Sequence, residues 1–180
     1  EIMADMFVKE VERFGLREVC CLTPLRKKTA TGAVAMNNRI QAIINPQSPD
    51  KEELYYSPTQ TMYRLGDRVM STLNTDKTCN GDLGYITKIE NGCVYVQYND
   101  CIVGYAYDEL ENIPLAYSMT IHKSQGSEFK VVITTMLESH SDMLQMNLFN
   151  TSVSRAKVKF ICAGNTDAIN TAILNREGIQ

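Results

Sequence analysis

The stretch Ala116-Tyr-Ser-Met-Thr-Ile-His-Lys-Ser-Gln-Gly-Ser-Glu-Phe129 decides the fold, through what it contains and what stands on either side. Thr120, His122, Lys123, Ser124 and Gln125 crowd hydrogen-bonding side chains into little more than one helical turn. Gly126 then permits close backbone approach, and Glu128 follows at once. Residues 129–137, with Val131, Val132 and Ile133, read as a buried strand of a parallel sheet. Polar groups gathered beside such a strand suit phosphates or sugars. A polar loop capping a helix is the other reading. Residues 116–124 themselves are expected to form a short helix.

Working outward, the same texture recurs on both sides. Ile2, Met3, Met6, Phe7, Val11 and Phe14 repeat at three- and four-residue spacing and predict a first helix stopped at Gly15. Residues 18–24 are a short apolar run closed by Pro24, again a buried strand. A helix is expected over 33–45, with Ala33, Asn37, Ile40 and Ile44 inward and Pro46 as its end. Beyond the central stretch come a helix over 143–154, a strand over 159–163, and a final helix capped by Thr166 that buries Ile169, Ile173 and Leu174.

Between these parts the period changes. Residues 47–59 are polar and turn-rich, and from Met62 to Ile113 the pattern is β. Strands are expected over 68–72, 85–89, 93–98 and 102–107. Asn91-Gly92 is a two-residue hairpin signal, and Val94, Val96 and Tyr98 alternate with Tyr95 and Gln97. Short strands with tight turns predict a small barrel. The fold class is therefore α/β: a parallel-sheet domain over 1–58 and 114–180, interrupted by a barrel over 59–113.

Hydrophobic residues are 44% of the 180 and charged residues 22%, enough apolar content for a core and against disorder. The net charge of −3 argues against a chain built mainly to coat nucleic acid, though not against a narrow groove that touches a few phosphates. No membrane span or signal peptide is visible, and a cytoplasmic location is expected. The six cysteines lack CxxC spacing and the two histidines stand apart from them, so zinc is not expected; buried, reduced thiols are.

Four segments carry a resemblance. The central stretch resembles motif V of superfamily 1 helicases in its RecD-like form. Leu148-Phe-Asn-Thr-Ser-Val-Ser-Arg-Ala-Lys157 resembles motif VI. Cys21-Leu-Thr-Pro-Leu-Arg-Lys27, with Met36-Asn37, is similar to the loop that opens the family's second motor domain. Gly66-Asp-Arg-Val69 with Asn80-Gly-Asp-Leu-Gly84 resembles the start of the SH3-like barrel inserted there. The implied fold is RecA-like (P-loop NTPase-like) with that barrel as an insert. The implied function is the C-terminal motor domain of an ATP-dependent DNA helicase, which couples ATP hydrolysis to translocation on single-stranded DNA and to unwinding.

The resemblance also implies roles. Arg155 becomes the arginine finger, stabilising charge in the transition state by on the order of 10³ to 10⁵ in rate. Gln125, Gly126 and Glu128 fall on the ATP side, Gly126 near phosphate and Glu128 near the ribose. Thr120, His122 and Lys123 fall on the DNA side, joined by Thr23, Pro24 and Asn80, while Arg26, Lys27 and Lys28 are either phosphate contacts or a solvated basic loop. The implied partners are single-stranded DNA and an N-terminal RecA-like domain of the same protein, with room for nuclease subunits. ATP and magnesium are the implied cofactors, held mainly by that other domain, because the 180 residues contain no GxxxxGK[ST] loop. The chain also starts at Glu1 rather than Met, which predicts a piece of a longer protein that hydrolyses no ATP alone and binds DNA weakly at most. A non-catalytic nucleic-acid-binding module, with Tyr95, Tyr105 and Tyr107 as a stacking surface, and a protein-interaction module derived from a helicase are the alternatives.

Overall fold

The strand β1 (Val19–Thr23) is buried at all five positions. It has no alternation because it is an interior strand of a parallel sheet with both faces covered. Its neighbours are β8 (Ser118–Thr120) and β9 (Phe129–Met136), with β10 (Ala156–Gly164) beyond β9, in the order β10-β9-β1-β8. Cys21 pairs with Ser118 on one side and Ile133 on the other. The computed structural model describes residues 2–26, 30–137 and 145–175. The chain divides into two units, Glu1–Arg39 with Ser118–Gln180, and Ile40–Tyr117.

In the first unit, successive residues of β10 show that helices lie on both faces of the sheet. Lys159 reaches Glu10 on α1 (Ile2–Phe14), while Phe160 meets Phe149 on α3 (Met146–Ser154) edge to face, with ring centroids 5.8 Å apart. The helix α4 (Thr166–Leu174) packs beside α3. The fully buried residues of α1 are Met3, Ala4, Phe7 and Glu10; Met6, Val11 and Phe14 of the expected stripe are half-buried, and Ile2 is exposed. Glu10 is tolerated there because its carboxylate takes Lys159 and lies 3.9 Å from Arg13. In α4 it is Ala168 and Ala172 that are buried, while Leu174 is exposed, because the helix lies close against its neighbours on small residues. Asn165, not Thr166, holds the cap position.

Residues 116–124 are not the expected helix. They form β8 and then a single tight turn, His122–Ser124, because Ser118, Met119 and Thr120 pair in parallel with β1. The expected helix over 143–154 is seen from Met146; Met143 and Leu144 lie outside the described residues.

The second unit holds an antiparallel meander, β4 (Arg68–Met70), β5 (Leu83–Glu90), β6 (Cys93–Gln97) and β7 (Ile102–Tyr105). Asn91 and Gly92 make the β5–β6 turn with φ of 52° and 77°. Val69, Val94, Val96, Leu110 and Ile113 fill its core. Residues 114–116 return beside β4, where the Met70 amide donates to Pro114 and the Ala116 amide to Arg68. A further hairpin, β2 (Glu53–Tyr56) with β3 (Thr61–Arg64), occupies part of the segment read as turn-rich.

This unit is wider than the expected 59–113, and Asp67 shows why. Its buried carboxylate accepts from Gln41 (2.6 Å) and Asn45 (2.7 Å) on α2 (Ala33–Ile44) and its end, from the Tyr117 hydroxyl (2.8 Å) and from the Arg64 amide (2.8 Å). Burial pushes the Asp67 carboxyl above its usual range, and these donors oppose that shift. Arg68, fully buried, donates to the carbonyls of Ala116 and Tyr117 and stacks on the Tyr117 ring. Residues 40–45 and 116–117 are thereby bound into the barrel unit. Of the cysteines, Cys20 and Cys21 are buried, Cys79 is exposed and the others are intermediate.

Candidate nucleotide and nucleic-acid site

The site gathers at the carboxyl ends of β1 and β8, where ligands collect on parallel sheets. The Ile121 amide donates to the Thr23 carbonyl at 3.1 Å, which joins the two strand ends. The chain then turns tightly. Ser124 is buried and its hydroxyl donates to the Ile121 carbonyl at 2.6 Å. The Ser127 amide donates to the Ser124 carbonyl at 3.0 Å. Gly126 sits at φ +88° with open space where a side-chain methyl would stand, so backbone conformation rather than crowding selects glycine.

One shoulder of this turn meets Arg155 at the end of α3. The Phe129 amide donates to the Arg155 carbonyl at 2.9 Å, and Arg155 Nη1 donates to the Ser127 carbonyl at 3.4 Å. Its Nε and Nη2 both reach the Ser154 hydroxyl. Arg155 makes no ion pair with a carboxylate among the described residues, so the guanidinium rests on neutral oxygens. Glu128 is exposed and paired with Lys157 at 2.7 Å. Lys157, with Arg155 further off, holds the Glu128 carboxyl below its usual range.

The other shoulder carries Thr120, His122 and Lys123. The Thr120 hydroxyl accepts from the Lys123 amide at 3.4 Å. His122 and Lys123 are exposed. Partial burial of the side chain, and then the Arg26 guanidinium, push the Lys123 ammonium below its usual range, so the two cations feel one another. Thr23 and Pro24 are buried, and the Thr23 hydroxyl donates to the Leu25 carbonyl at 2.9 Å. They shape this loop and offer no exposed side chain. Lys27 and Lys28 lie outside the described residues.

Asn80 belongs to the other unit. It is exposed in a turn where its amide donates to Asn74 Oδ1 at 2.7 Å. Sequence patterns alone do not mark Gln145, Asn147 and Thr151, which line a cavity with Ile121, His122, Gln125 and Leu148. No motif announces Gln145 or Asn147, and Thr151 lies in the motif VI-like segment with no role of its own there; all three approach His122 only through the fold.

The chemistry of these groups suits the nucleotide of the implied ATP–magnesium pair. A guanidinium held by neutral oxygens beside a glycine turn fits the anionic phosphates of ATP. Glu128 keeps lone pairs for a ribose hydroxyl while paired to Lys157. Among the described residues no group of three or more His, Cys, Asp or Glu could hold a metal.

Comparison with known proteins defines the class. Residues 115–161 match the family model of the UvrD-like helicase C-terminal domain, and residues 36–98 match that of the ATP-dependent RecD-like DNA helicase SH3 domain. Two Pif1 helicase structures share the fold. One, Bacteroides Pif1 in complex with ADP-AlF3 and single-stranded DNA, has a TM-score of 0.55 at 16% identity over 94% of this chain and 51% of its own. The other, Pif1 at forked duplex DNA, has a TM-score of 0.55 at 19% identity over 88% of this chain and 42% of its own. The chain is thus a superfamily 1 helicase domain, a RecA-like α/β sheet with an SH3-like insert.

The sequence relatives narrow this further. The ATP-dependent RecD2 DNA helicase of Deinococcus radiodurans is 33% identical over 95% of this chain. The RecD subunit of the RecBCD enzyme of Mycobacterium tuberculosis is 28% identical over 81% of it. This chain belongs to the RecD-like helicase family. It spans 25% of the length of each of these two relatives. Among the described residues no helix is long and apolar enough to cross a membrane.

Proposed function

We propose that this chain is the second motor domain of an ATP-dependent DNA helicase, working with a P-loop domain of the same protein to couple ATP hydrolysis to movement along single-stranded DNA and to unwinding. The observation that carries this reading is the short turn from His122 to Glu128. Its one shoulder bears exposed His122 and Lys123, and its other shoulder supports Arg155 through Ser127. A shift of one shoulder is transmitted to the other along a few backbone bonds.

In this reading Arg155 extends to the γ-phosphate of ATP held by the P-loop domain, and the Gly126 backbone and Gln125 approach the nucleotide. Glu128 accepts a ribose hydroxyl. Thr120, His122, Lys123 and Arg26 face the strand, with Arg26 and Lys123 on its phosphates. By itself the chain hydrolyses no ATP, since the sequence holds no loop to cradle the phosphates. Nuclease subunits are further partners within this reading; the mycobacterial relative is named as a subunit of the RecBCD enzyme.

The alternative of a stacking module on the barrel loses two of its three tyrosines. Tyr105 is buried against the Tyr98 hydroxyl at 2.9 Å, and Tyr95 is half-buried. Tyr107 is exposed, but its ring meets Tyr56 edge to face and its hydroxyl accepts from the Ser57 amide.

Strand binding tests the DNA side. In fluorescence anisotropy with a labelled single strand, His122→Ala is expected to lower affinity severalfold, or to weaken stimulation of ATP turnover by DNA, with an unchanged circular dichroism spectrum. Unaltered affinity and unaltered stimulation would remove His122 from the strand path.

A further inference from the structure

The cavity beside His122 has a chemistry unlike that of the phosphate-facing cations. Its volume is about 110 Å³ and its lining is Ile121, His122, Gln125, Gln145, Asn147, Leu148 and Thr151. That space is several times what one water needs. Ile121 and Leu148 are buried and give it an apolar floor. Among the described residues the rest of the lining is polar and contains no carboxylate, lysine or arginine. Among the described residues the side chains of His122, Gln125, Gln145 and Asn147 make no hydrogen bond, so three carboxamides and an imidazole converge without partners of their own. The Thr151 hydroxyl donates to the Asn147 carbonyl at 2.7 Å and keeps its lone pairs as acceptors.

A phosphate calls for positive charge, which is present at Arg26 and Lys123 and absent here. An apolar floor rimmed by neutral groups that both donate and accept suits a flat heterocycle with a mixed hydrogen-bonding edge. Carboxamides match adenine best, donating to N7 and accepting from the exocyclic amine.

We propose that this cavity takes the edge of one unstacked nucleobase of the bound single strand, adenine in preference to thymine. The inference rests on the strand-binding reading above and deepens it. The strand's phosphates meet Arg26 and Lys123, and one base turns into the cavity against Gln145 and Asn147. The contact adds a base preference to binding that phosphates alone would leave indifferent to sequence.

The test compares affinities of the protein for an oligoadenylate, an oligothymidylate and an abasic strand of equal length, each over a range of salt, with wild type and Asn147→Ala. Asn147→Leu, which keeps the approximate shape and removes donor and acceptor without adding charge, guards against a folding artefact. Wild type is expected to favour oligoadenylate over the abasic strand by roughly tenfold, as one bidentate contact supplies. Both variants are expected to lose most of that ratio while keeping the salt dependence. Salt-dependent binding with equal affinity for all three strands, or an adenylate preference untouched in both variants, overturns the base pocket and leaves the phosphate reading standing. Absence of salt-dependent binding to any strand overturns the reading on which it rests, and the pocket with it.

Discussion

In the proposed site, Arg155 and Lys123 are two cations held in different ways. Arg155 rests on the Ser154 hydroxyl and the Ser127 carbonyl, partners that a phosphate displaces readily. Lysine lacks the planar fork and would not replace it. Lys123 is disfavoured as a cation by burial and by Arg26. A strand phosphate placed there favours the charged form, so binding and protonation are linked. The sign follows: with its free-state pKa below that of an ordinary lysine, Lys123 loses its proton earlier as pH rises, and affinity falls with it. Affinity measured from neutral to alkaline pH should drop before an ordinary lysine would titrate, and the salt slope should shrink by about 0.7 for the one lost contact. Lys123→Arg should hold affinity level over the same range. The same decline in Lys123→Arg would place its cause elsewhere.

At the scale of elements, the edge of the sheet is closed by a helix side chain. Asn37 of α2 donates to the Ser118 carbonyl at 2.8 Å and accepts from the Ser118 amide at 2.7 Å, as a neighbouring strand would. Ser118 is the first residue of β8, the edge strand that leads into the His122–Glu128 turn. Asn37→Ala leaves both buried backbone groups unpaired and should destabilise the domain by roughly 2 to 4 kcal/mol in urea unfolding. A loss under about 0.5 kcal/mol would show that water replaces the amide. The spacing of residues 33–45 places Asn37 on the inward face, but its partner lies 81 residues away and no local pattern points to it. The same limit explains β8: three residues are too few to show a period, and their pairing with β1 is non-local. Leu54, Tyr55 and Tyr56 of β2 are hidden for a different reason, among the charges of residues 50–53.

Over the whole molecule, the architecture is legible in the sequence where a period or a motif is local. The apolar runs at 19–23 and 129–136 and the alternation at 94–98 are the strands they promise to be. The turn from Thr120 to Glu128 and the Arg155 segment carry their own signature, and the fold brings them together through the Phe129–Arg155 and Arg155–Ser127 bonds. The cavity is not legible, because Gln145 and Asn147 are ordinary polar residues until α3 is packed beside the turn. The barrel's reach to 40–117 is not legible either, since it depends on the buried carboxylate of Asp67 and donors far along the chain.

Arg155 acting on ATP held by another domain is the step on which the motor reading turns. The direct measurement is steady-state ATP turnover, with nucleotide binding measured in parallel, for the intact protein and its Arg155→Ala and Arg155→Lys variants. Both substitutions are predicted to lower turnover by on the order of 10³ or more, with nucleotide affinity changed only a fewfold. Turnover within a few fold of wild type in Arg155→Ala would contradict that role for Arg155.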